Sequence, residues 1–321
     1  MGAALALAAR ARGSTAPNPG VGCVIFKDGV VVGRGWTQPG GRPHAEAVAL
    51  EQAGEAAQGA DVYVTLEPCA HDSERGPACA ALLAAARPAR VVAALGDPDP
   101  RTAGRGFAAL REAGIEVVTG IREADARAEH AGFLSRITLG RPRVTLKTAM
   151  SLDGRTALSN GESQWITGPD ARRTGHQMRA EADAIMVGRG TWEADEPSLD
   201  CRIAGAEDLS PIPLLISATI NEVPERIAAR RGRLLRQVGE LSGLPYNDIL
   251  VEGGAGLAGT LLAADLIDRL AVFRAPILIG DGAPGLGRVG LEELPLAHGR
   301  WHLASERAIG FDRLEIYERT R

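Results

Sequence analysis

His44, Glu46, Cys69 and Cys79 are the side chains of this 321-residue chain best suited to do chemistry together. One imidazole and two thiolates form the mixed N/S donor set that zinc takes, and three protein ligands leave a fourth position open for water, as in a catalytic site. Such an ion brings the pKa of its water to about 7, so hydroxide is available near neutral pH. Glu46 is distinct from the three ligands and can carry protons as a general acid and base. Taken singly, the residues have plainer readings: His44 and Glu46 as polarity at a helix start, the two cysteines as small hydrophobes. The conjunction outweighs those readings. Pro43 presets the chain ahead of a helix, and Thr65-Leu66-Glu67-Pro68-Cys69 runs from a strand end into a second helical region. Ligands at two helix N-termini beside a sheet lie where helix dipoles favour thiolate and hydroxide.

Composition narrows the setting. A formal net charge of -4 gives no basic footprint for nucleic acid. Four cysteines in a chain this long are no disulfide framework. Cys23 falls in the apolar run Val21 to Phe26 and reads as a core thiol, and Cys201 has no Cys or His neighbour to form a ligand pair. In the Ala/Leu-rich start, Met1 to Ala11, Arg10 and Arg12 follow the apolar run, the reverse of a signal peptide's charge order, and the segment is too short to span a membrane. It reads as an amphipathic first helix of a cytoplasmic protein with no membrane partner.

The elements that must position these residues alternate. Val21 to Phe26 and Val30 to Gly35 are strand runs joined at Asp28-Gly29, a strong hairpin signal. His44 to Gln52 reads as a helix, Asp61 to Thr65 as a strand, Cys79 to Ala86 as a helix, and Arg90 to Leu95 as a strand. Gly106 to Ala113 is again helical, Glu116 to Thr119 a strand, and Glu123 to Leu139 a single connecting helix. This is an α/β/α sandwich. Gly140-Arg141-Pro142 marks a boundary, so the expected domains are 1–140 and 141–321. The second restarts with the strand Val144 to Lys147 and a helix at Asp170 to Ala182. Strands follow at Ala184 to Val187, Pro213 to Ile216, Ile249 to Glu252 and Leu270 to Ile279, with a closing antiparallel pair at His302 to Ile309 and Arg313 to Arg319. Asn221 to Asn247 is short and Arg-rich, without a clear buried strand.

The His-x-Glu pair followed by Pro-Cys is the signature of zinc nucleobase deaminases. Ala16-Pro17-Asn18-Pro19-Gly20-Val21-Gly22, His44-Ala45-Glu46, Thr65 to His71, Asp97-Pro98-Asp99-Pro100 and Gly104-Arg105-Gly106 together resemble the bifunctional deaminase–reductase family of riboflavin biosynthesis. The nine residues between Cys69 and Cys79 fit this branch better than the Pro-Cys-x2-Cys of most cytidine deaminase relatives. The resemblance implies that Asn18, His71, Arg75 and Asp97 line a pyrimidine and phosphate pocket. It continues through Lys147 to Arg155, Gly161 to Thr167, Ala184 to Thr191 and Asp195-Glu196-Pro197, which are similar to the family's reductase domain, with a dihydrofolate-reductase-like α/β fold. By that resemblance Ser163, Arg179, Asp195, Leu199, Arg202 and Glu252 contact a ribose-phosphate substrate, guanidinium forks being apt for phosphate. Ala149, Trp165, Thr167, Thr191, Gly254, Ala255 and Gly256 would line an NADPH site.

Gly254 to Gly259 directly follows a strand run and opens an apolar helix, the setting in which backbone amides approach a phosphate. A second glycine-rich match, Gly280 to Gly285, contains Pro284 and reads as a loop. The implied function is zinc-dependent deamination of a diaminopyrimidinone ribosylamino phosphate, then NADPH-dependent reduction of its ribosyl chain to ribityl, by a homo-oligomer (dimer or tetramer). Three alternatives stay open: a deaminase whose second domain is an impaired reductase, a zinc-stapled binding module in which His71 closes the metal site, and a nucleic-acid deaminase. The acidic balance and scarce aromatics weigh against the last.

Overall fold

The computed structural model describes residues 1–71 and 73–321, which separate into two compact units. One comprises Met1–Arg141 with Pro245–Asn247, the other Pro142–Leu244 with Asp248–Arg321.

In the first unit α1 (Gly2–Ala8) leads into the hairpin β1 (Gly22–Lys27) and β2 (Val30–Trp36). Asp28 and Gly29 at its tip have φ of 48° and 84°, as a two-residue primed turn requires. Then come α2 (Ala45–Ala53), β3 (Asp61–Val64), α3 (Cys79–Ala86), β4 (Arg90–Ala93), α4 (Arg105–Glu112) and β5 (Glu116–Thr119). The five-stranded sheet has the order β2-β1-β3-β4-β5, antiparallel on the hairpin side and parallel from β3 to β5.

Small residues decide how closely α2 approaches this sheet. A Cβ at Gly33 would lie 2.2 Å from Ala49 O, and one at Gly35 would lie 2.1 Å from Ala45 O. The helix backbone therefore rests on the strand through Ala45 and Ala49, both fully buried. That contact fixes His44, the residue capping α2, over the sheet's end. Cys23, Ile25, Val62, Val64, Leu83 and Leu110, all at 0% exposure, form the centre of the core, so Cys23 is the core thiol expected of it. The helical stretch after β5 is two helices rather than one, α5 (Glu123–Glu129) and α6 (Ala131–Leu139), broken at His130. His130 is buried, its Nε2 3.0 Å from Thr65 Oγ1, and this tertiary anchor overrides the continuous helical pattern.

The second unit contains β6 (Arg143–Met150), β7 (Arg155–Ala157), α7 (Pro169–Ala180), β8 (Ala184–Gly188), α8 (Arg189–Asp195), β9 (Ile212–Ile216), α9 (Glu225–Ala228) and β10 (Arg233–Leu235). It continues with β11 (Asp248–Val251), α10 (Ala255–Ala263), β12 (Arg269–Arg274), β13 (Ala283–Pro284), β14 (Trp301–Ile309) and β15 (Asp312–Arg319). Eight strands form one sheet, β10-β9-β8-β11-β6-β12-β15-β14, parallel from β10 to β12 and antiparallel over the last two pairs. β7 and β13 pair separately, so the Gly280 to Gly285 loop carries a two-residue strand.

Two expectations change here. The strand begun at Leu270 ends at Arg274, where Ala275 N donates to Met150 O and the chain leaves the sheet. The short Arg-rich segment does contain a strand, β10, with Leu235 buried and paired in parallel to β9. No helix among the described residues is long and apolar enough to cross a membrane.

Candidate active sites

The first site is assembled at the ends of β3 and α2 and the start of α3. His44 caps α2 in an extended conformation (φ -74°, ψ 162°), Cys79 is the first residue of α3, and Cys69 lies in the loop between β3 and α3. Thus two ligand candidates stand at helix starts, and the third is brought in by the loop, where its sulfur accepts the Cys79 backbone N–H at 3.2 Å. His44 Nδ1 is 3.3 Å from Cys79 Sγ and 3.6 Å from Cys69 Sγ, and the three donor atoms lie within 4.8 Å of one another. Zinc bonded tetrahedrally at about 2.3 Å to sulfur and 2.0–2.1 Å to nitrogen would set N···S edges at about 3.5 Å. The donor set fits that ion in geometry and softness.

Hydrogen bonding from the Cys79 thiol, then from His44, draws the Cys69 thiol down to about 4, while the same bond and burial push Cys79 up. Glu46, one helical residue further on, is 3% exposed, and burial raises its carboxyl pKa.

These groups open on a cavity of about 330 Å³ whose lining includes His44, Glu46 and Cys69 together with Asn18, His71, Arg75 and Asp97. All four expected pocket residues are therefore brought to one place. Asn18 Nδ2 donates to Gly41 O at 2.9 Å, and Arg75 Nη2 donates to Gly40 O at 2.9 Å, which anchors both to the loop before His44. Gly41 has φ of 84°, and a Cβ there would lie 2.1 Å from Asn18 Nδ2, so only glycine fits. His71 Nδ1 lies 3.4 Å from Thr102 Oγ1. Burial pushes Asp97 up to about 6.

Arg42, Arg101 and Arg136 also line the cavity. They belong to no motif and were not legible as site residues. Another residue missed is Glu67. Its buried carboxylate accepts backbone N–H groups from Asp97 (3.2 Å), Gly104 (3.1 Å) and Phe107 (3.2 Å), pinning the loop that carries Asp97 and Arg101.

In the second unit Arg179 forks onto Glu252 at 2.8 and 2.9 Å and donates to Asp200 O at 2.9 Å. Burial would raise the Glu252 carboxyl, but Lys147, 3.9 Å away, and Arg179 hold it at about 2. Arg202 reaches Asp200 Oδ1 (3.0 Å) and Ser198 Oγ (2.5 Å), and Leu199 between them is 1% exposed. Arg179, Leu199, Arg202 and Glu252 are therefore linked through one loop. Ser163 and Asp195 stand exposed, and among the described residues no hydrogen bond joins either to that network. Lys147 and Asp200 were not singled out from sequence.

On the other expected face, Gly254 caps α10 and donates to Thr191 Oγ1 at 3.2 Å. No side chain caps this helix, and a Cβ at Gly256 would meet nothing within 4 Å, so the first-turn amides are open to a phosphate. That is the observation that fits NADPH. Trp165, 68% exposed, is stacked by Arg172 at 4.4 Å, while Thr167 is buried and Ala149 half-buried.

An His/Cys/Cys centre with an adjacent buried glutamate on a mixed five-stranded sheet, in a chain with a second α/β unit, defines a two-domain enzyme of the zinc pyrimidine-deaminase class. Residues 1–95 match the cytidine and deoxycytidylate deaminase zinc-binding region, and residues 142–312 match the RibD C-terminal domain. The riboflavin biosynthesis protein RibD of Escherichia coli is 42% identical, over 92% of each chain. That of Haemophilus influenzae is 40% identical, over 96% of this chain and 94% of its own. Among solved structures, Acinetobacter baumannii RibD superposes with a TM-score of 0.88 at 36% identity, covering 100% of this chain and 98% of its own. A Thermotoga maritima diaminohydroxyphosphoribosylaminopyrimidine deaminase/5-amino-6-(5-phosphoribosylamino)uracil reductase gives 0.88 at 28%, covering 100% and 97%. The chain belongs to the RibD family of riboflavin biosynthesis proteins. It is a bifunctional enzyme with a zinc-dependent deaminase domain and an NADPH-dependent reductase domain.

Proposed function

We propose that the first unit removes the 2-amino group of a diaminopyrimidinone ribosylamino phosphate and that the second reduces the ribosyl chain of the product to ribityl. The observation that carries the reading is the juxtaposition of the His44/Cys69/Cys79 donors with buried Glu46 in a cavity rimmed by arginines. His44, Cys69 and Cys79 hold zinc, which when bound supplies an acidified water. Glu46 would take a proton from that water and pass it to the ring nitrogen as the oxygen bonds to the ring carbon, then carry the water's second proton to the amine as the C–N bond breaks, releasing ammonia and leaving a carbonyl; its raised pKa suits a group that must both accept and donate. Asn18, His71, Arg75 and Asp97 hold the pyrimidine and its phosphate.

In the second unit Arg179, Arg202 and Glu252 orient the ribose phosphate, with Ser163, Asp195 and Leu199 at its edge. Ala149, Trp165, Thr167, Thr191 and Gly254 to Gly256 bind NADPH, the hydride source. Positioning of the sugar C1 against the nicotinamide supplies most of the rate, as a proximity effect. The same reading makes the protein a cytoplasmic homo-oligomer, dimer or tetramer, which light scattering of the purified protein checks. In the decisive assay, the diamino substrate, zinc and NADPH are supplied together, and ammonia release and NADPH absorbance are followed. Zinc-loaded protein that releases no ammonia sinks the deaminase assignment; ammonia without NADPH oxidation sinks the reductase assignment.

A further inference from the structure

Three of the arginines that follow β9 face backbone carbonyls rather than carboxylates. Arg226 donates to Glu196 O, Arg230 donates to Ser198 O at 2.7 Å and Pro211 O at 2.5 Å, and Arg236 donates to Ile220 O and Asn221 O. The first two converge on one loop, residues 196–200. That loop contains two non-glycine residues in the left-handed region, Glu196 at φ 38° and Leu199 at φ 55°. A residue with a Cβ seldom adopts this conformation, and it persists only where its surroundings over-determine it.

Leu199 is over-determined from three sides. Its side chain is buried in the cluster that contains Trp192, Leu215 and Ile227. The carbonyl before it, Ser198 O, is held by Arg230, and the carbonyl after it, Asp200 O, by Arg179. Arg230 also grips the carbonyl of Pro211, the residue before β9, so the loop is tied to the entry of that strand.

We propose that Arg230 is a positioning residue for the reduction. With Arg179 it clamps Leu199 in its left-handed conformation and so fixes the Ser198–Asp200–Arg202 arrangement that faces the substrate phosphate. The inference rests on the substrate assignment of Arg179, Leu199 and Arg202 made above. A guanidinium is needed because its rigid fork reaches two carbonyls at once, whereas an ammonium on a flexible stem holds one.

The test uses full-length, zinc-loaded protein with the deaminated pyrimidine and NADPH as substrates. Arg230→Met raises the KM for the pyrimidine about tenfold or more, the effect of losing a charge-assisted contact, with kcat and the KM for NADPH changed by less than about threefold. Arg230→Lys falls between Met and wild type, and ammonia release from the diamino substrate is unchanged in both. If Arg230→Met lowers the melting temperature but leaves that KM at the wild-type value, the residue is merely structural and the clamp is refuted. If the Met variant fails to fold, the Lys variant decides on the same KM. Wild-type protein that consumes no NADPH overturns the substrate reading and the clamp's role together; wild-type turnover with unaltered variant KM values overturns the clamp alone.

Discussion

At the scale of single residues, the chemistry proposed for the first site turns on a carboxylate that lies beside the candidate zinc ligands without being one of them. Glu46 is buried beside Cys79, and in the proposed reaction its part is proton transfer. Glu46→Gln keeps shape and zinc content but removes the base. Deamination should fall by about 10²–10⁴-fold while NADPH oxidation with the deaminated substrate is retained; full ammonia release from the variant would refute the assignment. His130 makes a different prediction, about stability. Burial lowers its pKa to about 4, so it stays neutral in the folded unit, whereas in the unfolded chain it takes a proton near pH 6.5. Between those values the unfolded state binds more protons, so stability is complete above about pH 6.5 and is lost as pH falls toward 4. Chemical denaturation of wild type and His130→Gln at pH 7 and pH 5 isolates this residue from the zinc ligands. Wild type should lose about 2 kcal/mol more than the variant over that interval, and equal losses would show that His130 does not carry the slope.

At the scale of elements, α4 shows how a loop is held without local capping. Its cap position is Gly104 with φ of 76°, which has no side chain to satisfy the first amides. Glu67, from the loop after β3, accepts the Gly104 and Phe107 amides instead and adds that of Asp97. Glu67→Gln places an NH₂ group against at least one of these donors. We expect a loss of about 1–3 kcal/mol, read as a lower melting temperature of the zinc-loaded protein; an unchanged melting temperature would show that the bracket is dispensable. Gly106→Ala should act on the same seat, because its Cβ would lie 2.0 Å from Pro68 O.

Such relations mark the limit of what was legible beforehand. The hairpin, α2, α3 and the strands of both sheets other than β10 announce themselves through apolar periodicity and the Asp28-Gly29 turn, and the zinc donors through residue types that have few other joint uses. Glu67, Thr102 and Arg230 give no such signal, since each acts on groups 29 or more residues away or on bare carbonyls. The break at His130 was invisible because the helical pattern runs through it. β10 was invisible because a three-residue strand with one buried side chain makes no run.

At the scale of the whole molecule, each unit has its own buried core and its own sheet, and each matches a separate family region. Removing zinc with a chelator should therefore abolish ammonia release while leaving NADPH oxidation with the deaminated substrate within about twofold of the loaded enzyme. Parallel loss of both activities would refute their independence. The eight-stranded sheet of the second unit has a further consequence at its β10 margin. A parallel sheet that ended on a long apolar strand would offer unpaired amides and carbonyls to any foreign chain. This one ends on three residues, Arg233, Leu234 and Leu235, flanked by Arg231 and Arg236. A second copy brought edge to edge would have to align guanidinium groups of like charge along a ladder too short to repay the approach. The short, charged segment thus makes a poor template for edge pairing, and lengthening or neutralising it should promote self-association there, read as a shift in mass by light scattering.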